Sequence, residues 1–185
     1  MTAWFDAGGE HTEAVLERVE QRLSRGDIRY VVVATTSGAT GARFAEALRD
    51  RDVKVVCVTH HVGFKGGDDD QLELARADVI RAGGGSVLTT SHALSGVARS
   101  ISGSFGGTSA VEMIAHTLRL FGQGMKVCVE CAVMAADAGL VPTDGNVICV
   151  GGTGHGADTA VVLRPSHSNR FFDMRIRETL CRPIG

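Results

Sequence analysis

The chain has 185 residues, of which 44% are hydrophobic and 22% charged, and its 19 basic and 21 acidic side chains leave a net charge of −2. Those proportions exclude a disordered chain, and there is no basic stripe of the kind that binds nucleic acid. No apolar run is long enough to span a bilayer, and the opening MTAWFDAGGEHTE has neither a charged n-region nor an apolar h-region, so a cytoplasmic protein with no membrane partner is expected.

The length suits one domain over residues 1–185 with a core that needs no staples. The first helix is predicted from Glu10 to Ser24, with Val15, Leu16, Val19 and Leu23 on one face, ended by Gly26-Asp27. A strand follows at Ile28–Ala34, then a helix at Ala42–Asp50 and a strand at Val53–Thr59. The aspartates 68–70 put negative charge at the expected start of a third helix running to Arg81, which suits its dipole. Ala82 and three glycines lead into a short strand at Ser86–Thr90. The Ser/Gly-rich stretch 91–107 is expected to be helical in part, and Ser109 with Glu112 forms a capping box. Behind it lies a helix with Val111, Ile114, Ala115, Leu118 and Phe121, broken by Gly122 and Gly124, and then a buried helix around Cys128. Strands are predicted at Val147–Val150 and Ala160–Leu163, with a sixth on which Phe172, Met174 and Ile176 alternate.

Strands alternating with helices imply an α/β fold: a three-layer α/β/α arrangement with a mainly parallel sheet. The last two strands have no helix between them and are expected to form an antiparallel edge. Ligands bind such sheets outside the carboxyl ends of the strands, so four loops should meet at one mouth: 35–41, 60–67, 91–96 and 151–158.

The first of these loops carries the clearest signal. The run Val31-Val32-Val33-Ala34 leads into Thr35-Thr36-Ser37-Gly38-Ala39-Thr40-Gly41, with a helical pattern directly after. Unpartnered amides and the dipole at a helix start favour an anion, and Thr36, Ser37 and Thr40 add hydroxyl donors. Gly38 and Gly41 allow close backbone approach. The same hydroxyls also serve as plain helix caps; the three neighbouring glycine-rich loops strengthen the phosphate reading.

Other signals are weaker. Gly152 to Ala157 fits G-x-G-x-x-A after a strand, but a strand rather than a helix follows, so a phosphate or ribose contact is favoured over a dinucleotide site. His60, His61, His92 and His155 come from three mouth loops. They read as polar ligand contacts or loop hydrogen bonds rather than a metal set, because no carboxylate or cysteine joins them at ligand spacing. The five cysteines, Cys57, Cys128, Cys131, Cys149 and Cys181, read as buried structural thiols despite the C-x-x-C at 128–131. Glu130, in an apolar helix with Lys126 one turn back, is read as an ion pair in preference to a carboxyl of raised pKa. Arg99 is either a lid residue reaching a phosphate or a solvated side chain.

With these residues in view the chain resembles the stand-alone proteins similar to the pyruvate kinase C-terminal domain. The resemblance rests on Val58-Thr-His-His-Val-Gly-Phe64, Ser91-His-Ala-Leu-Ser-Gly-Val97, Lys126-Val-Cys-Val-Glu130, Met134-Ala-Ala-Asp-Ala-Gly-Leu140, Gly151-Gly-Thr153 and Gly156-Ala-Asp-Thr-Ala160. It implies the kinase's α/β domain without the catalytic barrel, so no pyruvate kinase activity is expected. In the kinase the equivalent of Thr36 to Thr40 grips a phosphate of a sugar-bisphosphate activator, often beside a basic residue where this chain has Ala39. The stand-alone family is associated with FMN in the same mouth. Carried over, Thr36, Ser37, Gly38 and Thr40 would hold the FMN phosphate. Phe64 and the backbone through His61 and Gly63 would flank the flavin ring, with His92 and Thr153 as hydrogen-bonding partners. The expected function is a binding protein for a phosphorylated small molecule, FMN foremost. The alternatives are a flavin-dependent oxidoreductase, with His92 or His61 as proton donor, and a regulatory or sensor subunit. The pattern identifies no catalytic residue and leaves homo-oligomer formation open.

Overall fold

The computed structural model describes residues 2–6 and 10–184. Its elements are β1 (Ala3–Phe5), α1 (Thr12–Leu23), β2 (Tyr30–Ala34), α2 (Ala39–Leu48), β3 (Lys54–Thr59), α3 (Leu74–Ala82), β4 (Ser86–Thr89), α4 (Val97–Phe105), α5 (Ala110–Arg119), α6 (Gln123–Asp137), β5 (Val147–Gly151), β6 (Thr159–Arg164) and β7 (Arg175–Pro183). A 3-10 turn, Ser168–Asp173, precedes β7.

The strands form one seven-stranded sheet in the order β1-β7-β6-β5-β2-β3-β4. Successive side chains of a strand point to opposite faces, and β2 divides accordingly. Val31 and Val33 pack with α1, α2 and α3 through Val15, Val19, Phe44, Leu48 and Ile80. Val32 packs on the other face with Met125, Cys128 and Ala132 of α6. Both faces of the central strands are therefore covered, which is why they read as unbroken Val runs. Burying each such Val, Leu or Phe contributes about 1.5–3 kcal/mol.

The antiparallel part differs from the expected edge. Pairings of β1 with β7, β2 with β3 and β5, and β3 with β4 are parallel, whereas β6 is antiparallel to both β5 and β7. β6 thus opposes all the others from an interior position, and the two edges, β1 and β4, run parallel to their neighbours. β6 is interior because β5 and β7 flank it, and β1 in turn covers β7, pairing Ala3 to Phe5 with Cys181 to Pro183.

Three local expectations are corrected. The aspartates 68–70 do not open the third helix, which begins at Leu74. Asp70 instead accepts from the Leu72 amide at 3.0 Å, and the Glu73 amide is tied to the Ser37 carbonyl at 3.1 Å. Phe172 lies in the 3-10 turn and is exposed, and Met174, packed on the core, lies just before β7; only Ile176 falls within the strand, where it is exposed. Gly124 does not break the chain but sits in the first turn of α6, where its missing side chain lets the helix lie against Asp158 and Thr159.

The capping box holds: the Glu112 amide donates to the Ser109 hydroxyl and the Ser109 amide to the Glu112 carboxylate. All five cysteines are buried and free. Among the described residues no helix is long and apolar enough to cross a membrane.

Candidate functional site

The order β5-β2-β3-β4 contains a reversal. After β2 the chain moves outward to β3 and β4, then returns to the other side of β2 as β5. A crevice opens at such a switch point, between the loops that leave the two central strands. Here it is a cleft of about 640 Å³, a volume suited to a small-molecule ligand. All four loops singled out in the sequence contribute: Thr35 to Thr40 after β2, His60 and Phe64 after β3, His92 after β4, and Gly152 to Gly156 after β5.

The bend after β2 forms the middle of the wall. Gly38 is the N-cap of α2 with φ +94°, a conformation that side chains disfavour. A Cβ on Gly38 would lie 2.8 Å from Cβ of Arg76 and 2.9 Å from a Leu72 methyl, so glycine also lets α3 close onto the bend. The Thr35 amide is used by the Val58 carbonyl, and the Thr35 hydroxyl accepts from the Gly41 amide at 3.3 Å. Among the described residues nothing accepts from the amides of Thr36, Ser37, Gly38, Ala39 or Thr40. Thr35 thus satisfies one first-turn amide of α2 through its side chain, whereas the side chains of Thr36, Ser37 and Thr40 do not.

The sequence profile described as "Pyruvate kinase, alpha/beta domain" matches residues 13–163, most of the chain. The chain belongs to the pyruvate kinase alpha/beta domain family. Solved structures similar to part of this pyruvate kinase-type domain include an O-ureido-L-serine synthase and a pyridoxal 5′-phosphate-dependent aspartate racemase. The first is 22% identical with a TM-score of 0.33, covering 62% of this chain and 31% of that one. The second is 16% identical with a TM-score of 0.35, covering 75% and 46%. The domain thus spans less than half the length of either.

Beside the bend stands a cation that the sequence pattern did not reveal. Arg76 of α3 donates from Nη1 to the Ser37 hydroxyl at 2.5 Å, and its Nε lies 3.0 Å from a Glu73 carboxylate oxygen. A second arginine of the wall, Arg43, is held in a two-pronged pair by Glu13 at 2.7 Å for each contact. No local signal marked either arginine, since both occupy polar helix positions that read as solvated.

The β3 and β4 side of the pyruvate kinase-type cleft is aromatic. The His60 and Phe64 rings stack with centroids 3.9 Å apart and planes 2° from parallel. His60 Nδ1 lies 3.1 Å from His92 Nε2, and His92 Nδ1 lies 3.2 Å from the Ser95 hydroxyl. Burial pushes both imidazoles down, His92 to about 4, so the pair is neutral at pH 7. Beneath them is Glu130, buried together with Lys126, which pairs with it. Its other oxygen accepts from the Leu94 amide at 2.7 Å, fixing the loop that carries His92. The ion-pair reading of Glu130 therefore holds.

The β5 side is different. Gly152, Gly154, His155 and Gly156 line it with Glu10 and Thr12 from the start of α1. The Glu10 carboxylate packs against Gly156, whose missing side chain leaves the room. Its Oε1 accepts from the Thr12 amide at 2.9 Å, and hydrogen bonding from the Thr12 side chain, followed by this backbone amide, holds its pKa below the usual range.

Some predicted positions fall outside the lining. Gly38 lies beneath it. His61 and Gly63 sit behind Phe64: the His61 ring meets Phe64 edge-on at 5.6 Å, and the Gly63 amide bonds Asp69. Thr153 is exposed while its glycine neighbours form the wall. Arg99 is exposed on α4, a helix that buries no residue, and does not reach the cleft. Among the described residues no group of three or more His, Cys, Asp or Glu side chains is arranged to hold a metal ion.

Proposed function

We propose that the cleft binds a phosphorylated small molecule, with FMN as its ligand. One observation carries the reading: four of the five residues whose amides lack partners at the start of α2, Thr36, Ser37, Ala39 and Thr40, line the cleft, with Arg76 beside them. In this assignment Thr36, Ser37, Gly38 and Thr40 hold the phosphate. Phe64, 37% exposed with His60 stacked against it, offers aromatic surface for a flat ring. His92 supplies a hydrogen-bonding edge on the same wall. The residues fit FMN in charge, volume and aromatic character.

The test is to denature the purified protein and analyse what is released, and to follow its melting with added FMN. Ligand at 100 times its dissociation constant adds about 2.7 kcal/mol. Release of no phosphorylated compound together with an unmoved melting curve refutes the proposal.

The neutral His60–His92 pair beside Phe64 favours a second reading, a flavin-dependent oxidoreductase. FMN, when bound, would supply the redox chemistry, and His92 would hold or pass a proton at Nε2. Anaerobic NAD(P)H bleaches the flavin if this is right and leaves the colour unchanged if the domain only binds.

A further inference from the structure

The phosphate reading leaves open how many anionic groups the cleft accepts, and the charges along its wall address this. Three cations stand on or just behind the wall: Arg43, Arg76 and Lys126. Arg43 spends Nε and Nη2 on Glu13. Lys126 is buried against Glu130. Arg76 alone points a guanidinium nitrogen at the bend after β2.

A second helix also starts at this cleft. Gln123 opens α6 and lines the wall, and the positive pole of α6 would by itself attract an anion. That pole is already met from inside the protein. A Cβ on Gly124 would lie 2.5 Å from Oδ1 of Asp158, so this carboxylate sits against the first turn of α6, 6% exposed and bonded by the Thr159 hydroxyl at 2.5 Å. In front of it, on the same flank, stands Glu10 at the Gly152–Gly156 turn. Its Oε1 is used by Thr12, while Oε2 has no donor among the described residues. The opposite flank offers the neutral His60, Phe64 and His92 and the paired Glu130.

From this arrangement we infer that the cleft has a single anion seat between a carboxylate flank and an aromatic flank, so that it selects a phosphate monoester and turns away a ligand bearing a second phosphate. The inference rests on the phosphate reading of the bend and adds the ligand class to it. A second phosphate would meet Glu10 on one side or an uncharged aromatic wall on the other. A hydroxyl or amino group at that end donates to Glu10 Oε2 instead. Rejection by a fixed like charge is a recognised route to selectivity.

The experiment measures, by calorimetry on the full chain, the binding of ribose 5-phosphate, ribose 1,5-bisphosphate and FMN to the wild type and to Glu10→Gln. Glu10 is exposed, so the variant keeps the fold. Expected is a bisphosphate at least about tenfold weaker than the monophosphate, and a ratio that narrows at least about threefold in the variant. A bisphosphate that binds as tightly as the monophosphate overturns the inference, and so does a ratio that Glu10→Gln leaves unchanged. If the ribose monophosphate fails while FMN binds, the single-seat selection is wrong but the phosphate reading stands. If none of the three binds, the phosphate reading falls and this inference with it.

Discussion

The Arg76 guanidinium and the Ser37 hydroxyl, 39 residues apart in sequence, meet at 2.5 Å. That contact brings a cation from α3 to the amides that begin α2. It is backed by the Glu73 amide on the Ser37 carbonyl and by the fit of Gly38 beneath Arg76, so α3 and the bend form one rigid unit.

The consequence for Arg76→Gln is specific. A charged hydrogen bond to a ligand contributes about 1.5–3 kcal/mol, so FMN affinity should fall roughly tenfold to a hundredfold. The ion pair with Glu73 is half exposed, so stability without ligand should change by less than about 1 kcal/mol. Fluorescence titration and thermal melting of the same sample separate the two effects, and unchanged affinity would remove Arg76 from the site.

Thr40→Asp tests the bend from its other side. Thr40 is the second residue of α2 and 8% exposed on the cleft wall. A carboxylate there is favourable to the helix dipole and repels a bound phosphate. The variant should melt no lower than wild type without ligand, yet bind FMN at least about tenfold more weakly. Wild-type affinity in a folded Thr40→Asp protein places the phosphate elsewhere.

The bend was legible in the sequence because its signal is local: a Val run, hydroxyl residues, a glycine and a helical pattern, all within 31–48. The shared mouth followed from strand order and the rule that such sheets bind at their carboxyl ends. Arg76, Arg43 and Glu10 were not legible. Each occupies a polar position that reads as solvated until the fold turns it inward. β1 was missed because three residues carry no periodicity; it exists because Cys181 to Pro183 need a partner strand. That same pairing takes β7 off the edge of the sheet, while β6 is interior because β5 and β7 flank it. Thr153, expected as a hydrogen-bonding partner, is exposed, and its neighbours Gly152, Gly154, His155 and Gly156 line the wall instead.

The buried pair beneath the histidines should govern stability more than binding. Lys126 and Glu130 are each 5% exposed, and Glu130 also anchors the Leu94 amide. Glu130→Gln keeps an acceptor for that amide but strands the Lys126 ammonium, at a cost of about 3–5 kcal/mol. Replacing both, as Lys126→Met with Glu130→Gln, should recover most of the loss, because no uncompensated charge remains. Urea denaturation of the three proteins measures this; a double variant as unstable as the single one would show that the pair's charge is not what matters.

Acid should weaken the fold through His92. An unfolded histidine takes up its proton near pH 6.5, whereas burial holds His92 to about 4. Glu130 pulls His92 upward, and His60, His61 and Lys126 push it further down. Between those two values the unfolded chain binds more protons than the native one, so stability is complete above about pH 6.5 and declines as pH falls toward 4. His60, also lowered by burial, adds to the same decline. His92→Gln removes one of these protons from the balance while retaining groups that can meet His60 and Ser95. Its melting temperature should therefore fall less than the wild type's between pH 6.5 and 4.5. Carboxylates titrate alike in both proteins, so the difference between the curves isolates His92, and two parallel curves would mean that the imidazole is not held neutral by its place in the cleft wall.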